Sequence, residues 1–137
     1  MDSLLDQLKR DEGFVDHVYK DSVNVPTIGY GINLLTEKIP ESVAALWLQI
    51  KLQSVIDECN LRWPWLDALE PIRREVVYNM AYNLGVVGLA GFTNFLQAMA
   101  GRMFITASME MKSSKWYDQV APRSERLRQQ LLTGERQ

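Results

Sequence analysis

Glu12 and Asp21 are the residues whose types and spacing first suggest chemistry in this chain. Glycosidic bond hydrolysis needs two carboxyl groups in different states. One carries a proton for the leaving oxygen; the other is ionised and activates water or supports a cation-like transition state. Glu12 falls at the end of a predicted helix, where the partial negative charge of the helix terminus favours a protonated carboxyl. Asp21 falls nine residues later beside Ser22, in a stretch that reads as a solvated turn, which suits an ionised carboxylate. Environments that push two carboxyls apart are what an acid and a base require. The spacing alone is weak support, because the chain has 17 acidic residues and most such pairs are ordinary surface charge.

The elements that must position these groups are legible in the pattern. Ser3 with Asp6 three residues later resembles a capping box, Leu4, Leu5 and Leu8 form a stripe, and Gly13 is a stop. This predicts a helix over 3–12. Residues 14–35 are β-branched, aromatic and punctuated by Gly, Pro and Asn, which predicts a small antiparallel sheet with tight turns. From Pro40 onward the periodicity is helical, with Val43, Leu46, Trp47 and Ile50 on one face and a break at 62–66. Glu70-Pro71 marks the start of the next helix, which is apolar around most of its circumference to Gly85 and reads as the central buried one. Further helices are expected near 92–100, 104–112, 114–119 and 123–131. The fold class is therefore α+β: a small sheet lobe at about 13–40 and a helical lobe made of about 41–137 together with the helix over 3–12, in one domain with a cleft between lobes.

Composition narrows the function. The 137 residues are 47% hydrophobic and 23% charged, ordinary for one globular domain. Cys59 is the only cysteine and His17 the only histidine, which excludes an internal disulfide, a zinc finger, a zinc protease site and any His-dependent triad. His17 reads as a solvated strand residue. The N-terminus has neither a basic nor an apolar signal region, and no stretch approaches a membrane span, so storage in the cytoplasm is expected. Residues 1–100 carry 8 Lys/Arg against 13 Asp/Glu, whereas 101–137 carry 7 against 4. The basic C-terminal segment could meet an anionic polymer or could simply be a solvated helix face.

The runs Asp11-Glu12-Gly13, Tyr19-Lys20-Asp21 and Thr27-Ile28-Gly29-Tyr30-Gly31 change the weight of the acid pair. At this spacing they resemble the active-site signature of the phage-type lysozymes, glycoside hydrolase family twenty-four. The run GLAGFTNFLQ at 88–97, Asn79-Met80, Trp116-Tyr117 with Gln119, Arg123 and Arg126, and Thr133-Gly134 resemble the same family, so the likeness covers nearly the whole chain. It implies a lysozyme-like fold and an endolysin, a muramidase cutting peptidoglycan between N-acetylmuramic acid and N-acetylglucosamine with inversion. Glu12 would be the acid, Asp21 the second carboxylate, and Thr27 the hydroxyl that places the attacking water. Tyr30, Tyr82, Asn83 and Phe92 would contact sugar. Arg123 would pair with the catalytic glutamate, and Arg126 with Asp11 would tie the first helix to the last. The resemblance implies no cofactor or metal. It implies peptidoglycan rather than nucleic acid as partner, a monomer, no membrane insertion, and release from the host cytoplasm through a holin.

Read from the residues alone, Thr27 is as well an ordinary strand residue. Gly29 and Gly31 serve either a close backbone approach or turn geometry. Two other readings stay open: a lytic transglycosylase, which needs one Glu, and an inactive cell-wall-binding module. The chain also departs from the family. Ile32 and Asn33 stand where a histidine is usual, the segment between Leu35 and Pro40 is short, so a trimmed small lobe is expected, and the net charge is −2 rather than strongly basic.

Overall fold

Ser3 closes the N-terminus of the first helix, α1 (Leu4–Glu12), with a capping box. Its hydroxyl accepts from the Asp6 N–H, and the Asp6 carboxylate accepts from the Ser3 N–H at 3.1 Å. Asp6 is held below its ordinary range, chiefly by the Ser3 backbone hydrogen bond and then by the Ser3 hydroxyl. Gly13 ends the helix at φ 72°, a conformation that suits glycine, and its N–H donates to the Lys9 carbonyl. The computed structural model describes residues 3–137.

A three-stranded antiparallel sheet follows, in the order β1 (Val15–Lys20), β2 (Pro26–Gly29), β3 (Ile32–Asn33). Tyr19 pairs with Thr27 and Lys20 with Pro26, while the register shifts between Val15 and Tyr19. On the other edge Thr27 pairs with Asn33 and Ile28 with Ile32. Thr27 is therefore the central rung, with a partner on both sides.

The remainder is helical: α2 (Glu41–Arg62), a 3₁₀ turn at Pro64–Ala68, α3 (Pro71–Leu84), α4 (Val86–Ala90), α5 (Thr93–Ala100), α6 (Phe104–Lys112), α7 (Lys115–Gln119) and α8 (Arg123–Thr133). The architecture is α+β and lysozyme-like. The short α4 was not expected. Gly85, at φ 79°, separates it from α3 and donates its N–H back to Ala81, so one apolar run becomes two helices.

The chain forms two compact units, one ending at Leu46 and one spanning Trp47–Gln137. α1 and the sheet belong to the first. The second holds the hydrophobic core, with Leu66, Val76, Val77, Met80, Ala81, Leu89, Met99, Met111 and Leu131 fully buried. α3 supplies four of these, as its all-round apolar sequence predicted. The N-terminal half of α2 keeps its apolar residues in solvent: Val43, Leu46, Trp47 and Ile50 are all at least half exposed. Farther along the same helix Val55, Ile56 and Cys59 reach the core. Burial pushes the Cys59 thiol up to about 11, with Glu58 adding to it, so this cysteine stays a protonated core residue.

Arg73 ties the start of α3 to the end of α8. It donates to the carbonyls of Leu131 and Leu132 where α8 ends, and its guanidinium lies 4.4 Å from the Phe104 ring. Gln130 adds a hydrogen bond to the Ile72 carbonyl at 2.8 Å. Glu70 precedes Pro71 as expected, yet its side chain pairs with Arg102 and Arg73 instead of capping α3.

Candidate active site

In the first unit the predicted catalytic side chains stand on backbone-defined positions. Glu12 is the last residue of α1, and its side chain is exposed. The carboxyl lies against the backbone of Gly31, in the turn between β2 and β3: a β-carbon at Gly31 would stand only 2.9 Å from the Glu12 carboxyl carbon. Residues 19 positions apart are thus neighbours.

Asp21 begins the turn that joins β1 to β2. Its Oδ1 accepts from the N–H groups of Val23 and Val25, both at 2.9 Å. Its own N–H donates to the Val25 carbonyl and its carbonyl accepts from Asn24, which sits at φ 66°, where asparagine is better tolerated than most residues. A carboxylate at this position thereby shapes its own loop. Asp21 Oδ2 has no hydrogen-bond partner among the described residues.

Thr27 is the one buried residue among described positions 3–46, at 3% exposure. Its hydroxyl donates to the Val25 carbonyl at 2.8 Å, the same residue whose N–H reaches Asp21. With its proton committed, the Thr27 oxygen keeps lone pairs to accept from water. Val25 therefore links Asp21 to Thr27 through its backbone alone, a role that no side-chain pattern announces.

Tyr30 is exposed between the two turn glycines, with its ring 5.6 Å from that of Phe14 and the Lys9 ammonium 6.0 Å from its centroid. Ile32 is exposed, and the Asn33 side chain accepts from the Leu35 N–H at 2.9 Å. At the positions where the resemblance implies a histidine, these two residues form β3. Asp11 is exposed. His17 is exposed beside Asp16 at 2.8 Å, as its strand position predicted, and its hydrogen bond is the main reason Asp16 lies below its ordinary range.

The second unit brings other predicted residues together. Trp116, buried, donates its indole N–H to Asn83 Oδ1 at 2.7 Å and meets Phe92 edge-on at 6.3 Å. Asn83 thus has one amide end fixed and the other left to donate. Phe92 also lines a cavity of about 280 Å³ with Thr93, Asn94, Glu110 and Ser114. Tyr82 stands apart from this cluster by its own contact, with the Lys51 ammonium 4.3 Å above its ring. Arg123 donates to Asn79 Oδ1 at 2.7 and 3.0 Å, so its guanidinium plane is set by an asparagine. Arg126 is exposed on α8. Lys51 and Asn79 were not singled out as site residues; each lies more than 30 residues from its partner, so no local pattern could flag it. A cavity of about 380 Å³ beside Arg73, Arg102 and Phe104 contains none of the predicted site residues.

Among the described residues no group of three or more His, Cys, Asp or Glu could hold a metal ion, and no helix is long and apolar enough to cross a membrane.

The chain runs from a helix ending in Glu12, through a hairpin with a backbone-clamped Asp21 and a buried Thr27, into a helical bundle, the order of elements of an α+β lysozyme-like protein. The family description "Phage lysozyme" matches residues 9–130, and the chain belongs to that family. It is 26% identical to probable T4-type lysozyme 1 of Dictyostelium discoideum, over 96% of this chain and 95% of that protein. It is also 26% identical to the pre-baseplate central spike protein Gp5 of Enterobacteria phage T4, over 96% of this chain but only 28% of that longer protein.

Proposed function

We propose that the chain hydrolyses the β-1,4 bond between N-acetylmuramic acid and N-acetylglucosamine with inversion, through Glu12, Asp21 and Thr27. Glu12 gives its proton to the glycosidic oxygen as the C–O bond breaks. Asp21 Oδ2 takes a proton from water as that water adds to the opposite face of the anomeric carbon, with the Thr27 oxygen as a second acceptor. Inverting pairs stand roughly 6.5–9.5 Å apart, leaving room for the water between carboxylate and sugar. The observation that supports this most is the Asp21–Val25–Thr27 arrangement. Two backbone N–H groups hold one Asp oxygen, the other has no protein partner among the described residues, and the Thr hydroxyl is turned by the intervening carbonyl. Structural needs alone would not require a carboxylate with one oxygen left over.

In the cell this activity would end a phage infection. The monomeric enzyme would wait in the host cytoplasm until a holin lets it reach the wall. The test is lysis of chloroform-treated cells by wild type beside Glu12→Gln. The variant should keep its circular dichroism spectrum and melting temperature and lose lysis. Full lysis by Glu12→Gln would reject the acid. Mass spectrometry of the muropeptides should show products carrying added water; anhydro-sugars would point to a transglycosylase, and wall binding without release to an inactive module.

A further inference from the structure

The two glycines that flank Tyr30 share a positive φ and differ in their surroundings. Gly29 has φ 70° and Gly31 φ 69°, so a side chain at either would sit in the left-handed region. A β-carbon at Gly29 would meet nothing within 4 Å. The three atoms nearest a β-carbon at Gly31 would all belong to Glu12: it would overlap Oε2, stand 2.9 Å from the carboxyl carbon and 3.5 Å from Cγ. Turn geometry therefore accounts for the first glycine, whereas the second also leaves room for a carboxyl group.

We infer that Gly31 is a positioning residue for Glu12, its missing side chain leaving the space in which the carboxyl rests. This rests on Glu12 as the acid and adds what holds it in place. Glu12 is the last residue of α1 and is exposed, so the helix leaves its carboxyl free to take more than one direction. The turn between β2 and β3 supplies a surface instead, and only glycine presents that surface flat. Adding a methyl group at 31 would swing the carboxyl away, because the end of a flexible side chain yields more readily than backbone. An acid displaced by an ångström can lose about 100-fold in rate through misalignment alone.

The experiment compares Gly31→Ala with Gly29→Ala, both of which place a side chain at positive φ. Turnover on purified peptidoglycan should fall by about tenfold or more for Gly31→Ala with KM little changed, and stay within about threefold of wild type for Gly29→Ala. The carboxyl ¹³C resonance of Glu12, assigned by its absence in Glu12→Gln, should move in Gly31→Ala and hold in Gly29→Ala. If alanine blocks folding, Gly31→Asn and Gly29→Asn repeat the comparison, since asparagine tolerates positive φ. Equal turnover of the paired variants, or an unmoved resonance in the position-31 variant, overturns the inference. An active Glu12→Gln would instead remove the acid assignment, and the resonance would still report whether Gly31 sets the Glu12 conformation.

Discussion

The unit that ends at Leu46 and the unit that begins at Trp47 are stabilised in different ways. The second encloses a core of buried Leu, Val, Met, Phe and Trp side chains. The first, among its described residues, buries Thr27 alone and takes its shape from a capping box, three positive-φ glycines and a carboxylate that organises its own turn. Apolar burial is strong but non-directional, whereas backbone hydrogen bonds and turn conformations fix direction. The proposed acid and base lie where direction is set, and the bulk of apolar stabilisation lies elsewhere.

The comparison predicts that the two units fail differently. The largest effect should come from Asp21→Asn, which keeps an oxygen for the Val23 and Val25 N–H groups and removes the base. Lytic rate should fall by roughly 10²–10⁴-fold, while amide exchange at Val23 and Val25 stays protected. Asp21→Ala should lose both, and protected amides in that variant would show that the carboxylate does not shape the loop. Leu89→Ala, at a fully buried position, comes next: about 2–5 kcal/mol of unfolding free energy in a urea titration. Leu5→Ala, at a position 62% exposed in the first unit, should change stability by no more than about 0.5 kcal/mol. Similar costs for the two would erase the distinction.

Thr27→Val removes the one buried hydroxyl of the first unit and keeps its shape. The Val25 carbonyl retains the Asp21 N–H, so about 1 kcal/mol is expected, with a much larger loss of lysis if the hydroxyl places water. The smallest effect is electrostatic. Arg128 holds Glu125 down from 4.5 to about 2 through its hydrogen bonds, helped by Gln129. A depressed carboxyl stabilises the fold above its unfolded value and stops doing so as pH falls through its folded one. Wild type should therefore exceed Glu125→Gln in stability at pH 7. The side chain is 44% exposed, so the margin should stay below about 1 kcal/mol. It should shrink from about pH 4.5 downward and vanish near pH 2; a margin independent of pH would rule out the ion pair as its source.

Local signals carried most of the fold. Ser3 and Asp6 marked the start of α1, Gly13 its end, Pro71 the first turn of α3, and the β-branched run at 14–35 the sheet. Each is a property of residues a few positions apart, so each can be read without the fold. Thr27 remained ambiguous because a strand threonine looks the same whether its hydroxyl meets solvent or the Val25 carbonyl. The split at Gly85 was read only as a helix end, because the apolar pattern beyond it was too short to announce α4.

From sequence alone came the α+β class, the order of elements, the positions of Glu12 and Asp21 at the ends of regular structure, and the resemblance that linked them. Tertiary structure alone decided that Asn79 meets Arg123, that Lys51 covers Tyr82, that Asn83 is engaged by Trp116, and that Gly31 lies against Glu12. The physical reason is range. Caps, turns and periodicity act over three or four residues and leave a trace in composition, whereas contacts across 19 to 44 residues depend on where whole elements come to rest.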